Sequence, residues 1–533
     1  MVKRISAFSN FLMVSGNKTK SHTKQNTKQN TKPNTKPNTK QNTKPHKKLL
    51  TGKHTKSHIK SHIKSKTNKS FGINIKNTNK IYNIITSFYT LHAPITSYII
   101  KYNDNNSKSL IRNGLQNIDY SSNDLNYPKT ETIFQRIDNA YKVQQNILEK
   151  LNISKLPKKV QYALEDMTRG LSKFISTRYQ STLPHITISN AFIKMWEILS
   201  TFDLIHINNN SHNKPFRVFH ICEAPGQMIL ATRYYAESKN SYGKLNNLVY
   251  EWRANSLNPF NSIVKNKFGH VFGDEYGLMK ENPQKWIWGA DNTGDITRTE
   301  NIKWYRKYMF NNNGKFHSPD IIIGDGGLGS GNDAIILQRL DLAQVIMVIA
   351  CSSKGGSCVI KHFTPYMVNH PDTIKATGFF INFMYLYYLV FDDIALFKPY
   401  SSDMTSGEFY VIGKGFRGND VINESILNKL YKILENFKVN MTFFKKKDIP
   451  ETFIMQINGF IKKMADYNIQ GYEKSNLLLT CMSESDKNYE IGKHNISKKL
   501  NTLLYCNDFL DEDKIEKILV PRYYQWIKKY KFV

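Results

Sequence analysis

The chain has 533 residues, long enough for two or three domains and a substantial core, and a formal net charge of +32. That balance points to an anionic partner, with nucleic acid first and an anionic membrane surface weaker for want of a clear amphipathic basic helix. The five cysteines (Cys222, Cys351, Cys358, Cys481 and Cys506) form no CxxC pair, which argues against a zinc site or disulfide framework and for a reducing, cytoplasmic setting.

The charge is uneven. Residues 1–103 carry 21 lysines and arginines and no acid; Asp104 is the first. The N-terminal MVKRISAFSNFLMVSG lacks a secretory apolar region and is poor in arginine for a transit peptide. Residues 18–44 repeat Thr-Lys every fourth position, but Pro33, Pro37 and Pro45 forbid a continuous helix there. With almost no apolar side chains, the repeat cannot offset its ordering entropy, so residues 1–70 are expected to be a disordered basic tail, and His54, His58 and His62 solvated parts of it.

Residues 71–184 form a mixed extension, with helices expected over 135–151 and 160–176. The clearest helix is 189–205, with Ser189 as its cap. Short strands then alternate with helices: RVFHIC, NNLVYEW, PDIIIGD, GSCVIKHF, IALFKP and EFYVIGKGF. This alternation predicts an α/β domain around a mainly parallel sheet over residues 185–418. GFFINFMYLYYLVF (378–391) is too short to cross a bilayer and reads as a buried element. Beyond Phe416 the pattern turns helical (424–437, 452–467, 494–505), which predicts a separate, mostly helical region over 419–533.

Ligands of open α/β sheets bind beyond the carboxyl ends of the strands. EAPGQ (223–227) lies at such an end, between the strand RVFHIC and the helix MILATRYYA. Asp325 ends PDIIIGD and Lys361 ends GSCVIK, so both fall on the rim that holds EAPGQ, while Glu408 opens the last strand. Lys194, on the helix before the first strand, completes a charged set. A competing pattern, GDGGLG (324–329), matches GxGxxG, but a dinucleotide site needs an acid ending the next strand. The nearest, Asp341, falls inside a helical pattern. Neither GxxxxGK[ST] nor GxSxG occurs.

Five motifs, CEAPG, TGDIT (293–297), IIIGDGG, CVIKHF and SGEFYVIGKGF, occur in the order found in FtsJ-like RNA ribose 2′-O-methyltransferases, and NAFIKMWEIL resembles their leading lysine helix. The resemblance covers residues 185–418 and is nearest the cap-directed, Adrift-type branch, including proteins of large DNA viruses. It implies a Rossmann-like fold, S-adenosylmethionine (SAM) as cofactor and RNA as substrate. It also implies a Lys-Asp-Lys-Glu tetrad at Lys194, Asp325, Lys361 and Glu408. By the same resemblance Glu223, Ala224, Pro225 and Gly226 line the cofactor loop, Asp295 approaches the adenine, and Asp325 also faces the cofactor. Gln227 and Met228 depart from the usual Gly-Phe, and EWRANSLNPF lacks the expected ribose acid, for which Asn255 and Asn258 are weak substitutes.

The chemistry is coherent without the family. A ribose 2′-OH needs a base within hydrogen-bond reach, and a lysine near a second cation can serve. Lys361 is the expected base, Lys194 the neighbouring charge, Asp325 the group orienting Lys361, and Glu408 the partner of Lys194 or the ribose. No metal is required. The expected substrate is the first transcribed nucleotide of capped mRNA. Structural RNA is the nearest alternative, and a non-catalytic RNA-binding scaffold the alternative from another class. Tyr276, Trp286 and Trp288 are candidates for stacking on a cap, with core packing the commoner role.

Overall fold

A computed structural model describes residues 98–100, 113–119, 130–151, 167–179, 188–205, 215–241, 249–268, 271–310, 316, 318–327, 334–367, 373–490 and 512–532. The Thr-Lys tail with its histidines, the helix expected over 494–505, and Leu328 and Gly329 of GDGGLG lie outside them.

Seven strands form one sheet: β1 (Tyr98–Ile100), β2 (Phe216–Ile221), β3 (Tyr250–Ala254), β4 (Ile321–Gly324), β5 (Ser357–Phe363), β6 (Phe391–Phe397) and β7 (Glu408–Phe416). Their order is β1-β6-β7-β5-β4-β2-β3. β3, β2, β4 and β5 pair in parallel, while β7 runs antiparallel between β5 and β6, and β1 is antiparallel on the edge. The fold is Rossmann-like and mainly parallel, with β2 to β6 all pointing one way. The short edge strand β1 escaped the sequence reading because three residues carry no periodicity.

The helices used below are α1 (Glu131–Leu151), α2 (Met167–Arg178), α3 (Asn190–Phe202), α4 (Gln227–Ser241), α5 (Thr299–Phe310), α6 (Ala334–Cys351), α7 (Thr373–Val390), α8 (Glu424–Glu435), α9 (Glu451–Glu490) and α10 (Glu512–Lys529). α3 starts where Ser189, in extended conformation, accepts from Phe192 N, and ends at Asp203 in the left-handed region. α8 starts the same way, with the Asn423 side chain accepting from Ile426 N.

Successive side chains of a strand face opposite ways, so each strand feeds two cores. Phe219, Ile221, Ile322, Ile360 and Val411 join one cluster with α5, α6, α7, α8 and α9. Val218, Ile321, Ile323, Val359, Tyr410 and Ile412 join the other, with α2, α3, α4 and the C-terminal Trp526, Tyr530 and Phe532. α7 holds the apolar stretch expected to be internal, and Phe379, Ile381, Tyr385 and Leu389 on its several faces are all buried. A helix apolar all round must be enclosed, and α6, α9 and β6 enclose it. Each of these large side chains contributes about 1.5–3 kcal/mol on burial. The chain beyond 416 is helical where described. Leu427, Leu430, Phe453 and Phe460 belong to the same core as the sheet, so these helices complete the fold's own interior.

Among the described residues no helix is long and apolar enough to cross a membrane.

Candidate active site

Strand parity puts the charged set on one face. Asp325 follows β4 in phase with Ile321 and Ile323, Lys361 is in phase with Val359, and Glu408 is in phase with Tyr410 and Ile412. That is the face on which α3 packs. Register brings them level: Gly324 pairs with Ile360, Lys361 with Tyr410, and Phe363 with Glu408.

Two ion pairs result. Lys361 Nζ lies 2.9 Å from Asp325 Oδ1, and Lys194 Nζ lies 2.6 Å from Glu408 Oε1. Their side chains keep between 12% and 24% of their surface, so the groups are largely withdrawn from water yet still reachable. Lys361 stands two residues inside β5 rather than at its end, since pairing with β7 extends the strand to Phe363. Burial alone would raise the Glu408 carboxyl. The ammonium of Lys194, followed by those of Lys361 and Lys398, overrides it and holds the carboxyl down at about 2. Glu408 therefore feels both lysines, and the two pairs form one electrostatic unit.

The glycines after Asp325 have a geometric reason. A Cβ at Gly327 would sit 3.2 Å from Lys361 Nζ, and one at Gly326 would lie 2.4 Å from Gln344 Oε1. Gln344 Oε1 accepts from Gly326 N at 3.1 Å, and its Nε2 donates to Lys361 O at 3.3 Å, which ties the loop to β5. Asp341 lies within α6, buried, 2.7 Å from His362 Nδ1, while Tyr387 Oη is 2.9 Å from the other ring nitrogen. It serves the opposite face of the sheet, which leaves the dinucleotide pattern without its acid.

The EAPG loop is placed as expected, but Glu223 is used differently. Its buried Oε1 accepts from Met228 N at 2.8 Å and Ile229 N at 3.2 Å. These are amides of the first turn of α4. Glu223 acts as the helix cap, and burial pushes its carboxyl up. Cys222, at φ +57, lies among charged groups: burial, then Asp295, push its thiol up to about 12 while Lys361 opposes. It remains a protonated thiol. Gly226 has φ +110, and a Cβ there would meet Leu278 Cδ1 at 2.4 Å, so the insertion around 278 packs directly on the loop. Gln227 Oε1 accepts from Ser189 N at 2.8 Å, linking the loop to the cap of the lysine helix.

Asp295 is buried. Its Oδ1 accepts from Thr297 N and Oγ1, and its Oδ2 lies 3.2 Å from Lys267 Nζ. Asn255 and Asn258 turn into the same loop: Asn255 Nδ2 donates to Gly294 O, and Asn258 Nδ2 to Asn292 O. Both have a structural partner for their amide. Trp286 is buried and stacks on Trp288 at 5.8 Å, with Trp252 edge-on, so Trp286 is core. Tyr276 and Trp288 are half-buried beside it.

Sequence reasoning missed Tyr410, whose hydroxyl donates to Asp325 at 3.4 Å, and Ser402, which donates to Glu408 at 3.2 Å. Tyr410 was accessible from strand alternation, two residues after Glu408. Ser402 and Gln344 carry no signal of their own in the sequence. Among the described residues no group of three or more His, Cys, Asp or Glu is placed to hold a metal ion.

The order and spacing of these groups have a counterpart. Residues 187–416 match the FtsJ-like methyltransferase family. This FtsJ-like segment holds all four charged residues, the EAPG loop and six of the seven strands. Similar proteins include the uncharacterized protein L511 of Acanthamoeba polyphaga mimivirus, 27% identical over 66% of this chain and 40% of its own. The probable methyltransferase EP424R of African swine fever virus is 28% identical over 47% of this chain and 53% of its own. The cap-specific mRNA (nucleoside-2'-O-)-methyltransferase 2 of Danio rerio is 24% identical over 59% and 40%. The chain thus spans between two-fifths and about half the length of these relatives.

Proposed function

We propose that the chain is a SAM-dependent RNA ribose 2′-O-methyltransferase acting on the first transcribed nucleotide of capped mRNA. The observation that carries this reading is the joining of Lys361–Asp325 and Lys194–Glu408 on one rim, beside the EAPG loop. The family match supports methyl transfer, and a relative named as a cap-specific mRNA 2′-O-methyltransferase supports the capped substrate.

The donor set suits the cofactor. Asp325, the most exposed of the four side chains, offers a carboxylate to a cation, and the loop at 222–226 lies alongside. When bound, SAM supplies an electrophilic methyl on a positively charged sulfur. A cation beside Asp325 competes with the Lys361 ammonium for that carboxylate and favours the neutral amine. With the cofactor bound, Lys361 Nζ would be the group placed to accept the proton that the 2′-OH gives up as its oxygen takes the methyl group. Lys194, fixed by Glu408, supplies a second positive charge beside the site, which would stabilise the developing oxyanion. Alignment of oxygen, methyl and sulfur supplies much of the acceleration.

The test is methylation of one RNA with and without a cap-0 structure, followed by digestion and mass identification of the modified nucleotide. The reading predicts a 2′-O-methyl on the first nucleotide of the capped RNA alone. Equal methylation of uncapped RNA would move the substrate to structural RNA, and methyl on another nucleotide would correct the position.

A further inference from the structure

The FtsJ-like match ends at Phe416, yet side chains beyond it brace the elements that carry Lys194 and Glu408. The connection between β6 and β7, residues 398–407, carries Ser402 and delivers Glu408. It is held from two sides. On one side α9 approaches through Gly471, where a Cβ would sit 2.8 Å from Met404 Cβ. There Asn468 Nδ2 donates to the carbonyls of Met404 and Ser406, the latter at 2.9 Å, while its Oδ1 accepts from Tyr366.

On the other side stands Glu197, one turn after Lys194 on α3 and fully buried. Its Oε2 accepts from Tyr400 N at 2.7 Å, and its Oε1 from Ser401 N at 3.0 Å. The same Oε1 accepts from Trp526 Nε1 of α10 at 2.7 Å. Lys529 Nζ lies 4.6 Å from the centre of the Tyr400 ring. Trp196 Nε1 and Ser200 Oγ both donate to Tyr530 O at 3.1 Å, which seats α10 along α3. The helix that carries Lys194 and the loop that delivers Glu408 are thus fastened to each other through Glu197, and groups outside the matched segment brace both. A buried carboxylate with three directed donors fixes orientation more tightly than apolar packing does.

We propose that Trp526 and Asn468 are positioning residues for methyl transfer, holding Lys194 and Glu408 in register with Lys361 and Asp325. The inference rests on the reaction assigned above. Neither residue touches substrate; each acts through the loop at 398–407. Their loss should leave ligand binding largely intact and impair the step that needs the paired charges aligned.

Full-length wild type, Trp526→Phe and Asn468→Ala would be compared in single-turnover methyl transfer to capped RNA, with rates expressed per SAM-binding site. Counting sites keeps a partly unfolded preparation readable, and the two variants loosen the loop from opposite sides. Each should lower the rate about tenfold, with SAM and RNA affinities within about twofold of wild type. Wild-type rates per site in both variants would overturn the inference, as would losses confined to the number of sites. Wild type that binds SAM yet transfers no methyl to any RNA would instead overturn the assigned reaction.

Discussion

Lys194 Nζ and Glu408 Oε1 lie 2.6 Å apart although 214 residues separate them in the chain. Ser402 adds a second partner to the same carboxylate oxygen. Closing so long a separation into one short contact takes the whole fold: α3 precedes the first parallel strand, β2, and β7 is the last strand of the sheet.

The depressed acidity of Glu408 has a consequence for stability. Its folded value, about 2, lies below the 4.5 of a free glutamate, so the unfolded chain binds the proton more readily. The pair therefore stabilises the fold above about pH 4.5, and that contribution disappears as pH falls towards 2. Urea unfolding of wild type and Glu408→Gln should differ by about 2–3 kcal/mol at pH 6, with the gap shrinking below pH 4.5. A gap that does not change with pH would contradict the assignment.

Gly294, in the loop carrying Asp295, has φ +73, and a Cβ there would lie 1.7 Å from the backbone oxygen of Ser256. Gly355 has φ +80 with nothing within 4 Å of the same position. Both glycines pay the left-handed penalty on substitution, about 1–2 kcal/mol, but only Gly294 adds a backbone collision. Thermal unfolding should show Gly294→Ala well below Gly355→Ala, and SAM affinity should fall in the first alone. Equal shifts would mean that the loop around 294 relaxes freely.

The basic N-terminal repeat leads to a prediction from charge alone. Deleting residues 1–70 should weaken RNA affinity at low salt and flatten its salt dependence, because fewer phosphates are neutralised. SAM affinity should not change. Filter binding across a salt series with titration calorimetry checks both, and loss of SAM binding would show that the tail contributes to the folded domain.

Much of the architecture was legible because buried parallel strands announce themselves as short apolar runs. PDIIIGD and GSCVIKHF each became a strand, and the charged residue near each carboxyl end lies on the rim. Asp325 was expected to orient Lys361 and Glu408 to partner Lys194 or the ribose; the geometry that selects Lys194 was not legible. Nothing in NAFIKMWEIL says that Lys194 meets Glu408 rather than Asp325, since that depends on how α3 crosses the sheet. Glu223 has a structural use that the local sequence did not show, for a related reason. A carboxylate before Pro-Gly looks like a ligand contact in one dimension, whereas the helix that follows offers it two amides at 2.8 and 3.2 Å. The link from Glu197 to Trp526 spans 329 residues, and no local pattern marks either partner.

The most direct test of the central claim, that Lys361 is the base of a methyl-transfer site, pairs SAM binding with transfer of tritiated methyl to capped RNA for wild type and Lys361→Ala. The account predicts that both proteins bind SAM, that wild type labels the RNA, and that the variant's rate falls by about 10²–10⁴. A variant that binds SAM and labels RNA at the wild-type rate would show that the proton leaves by another route.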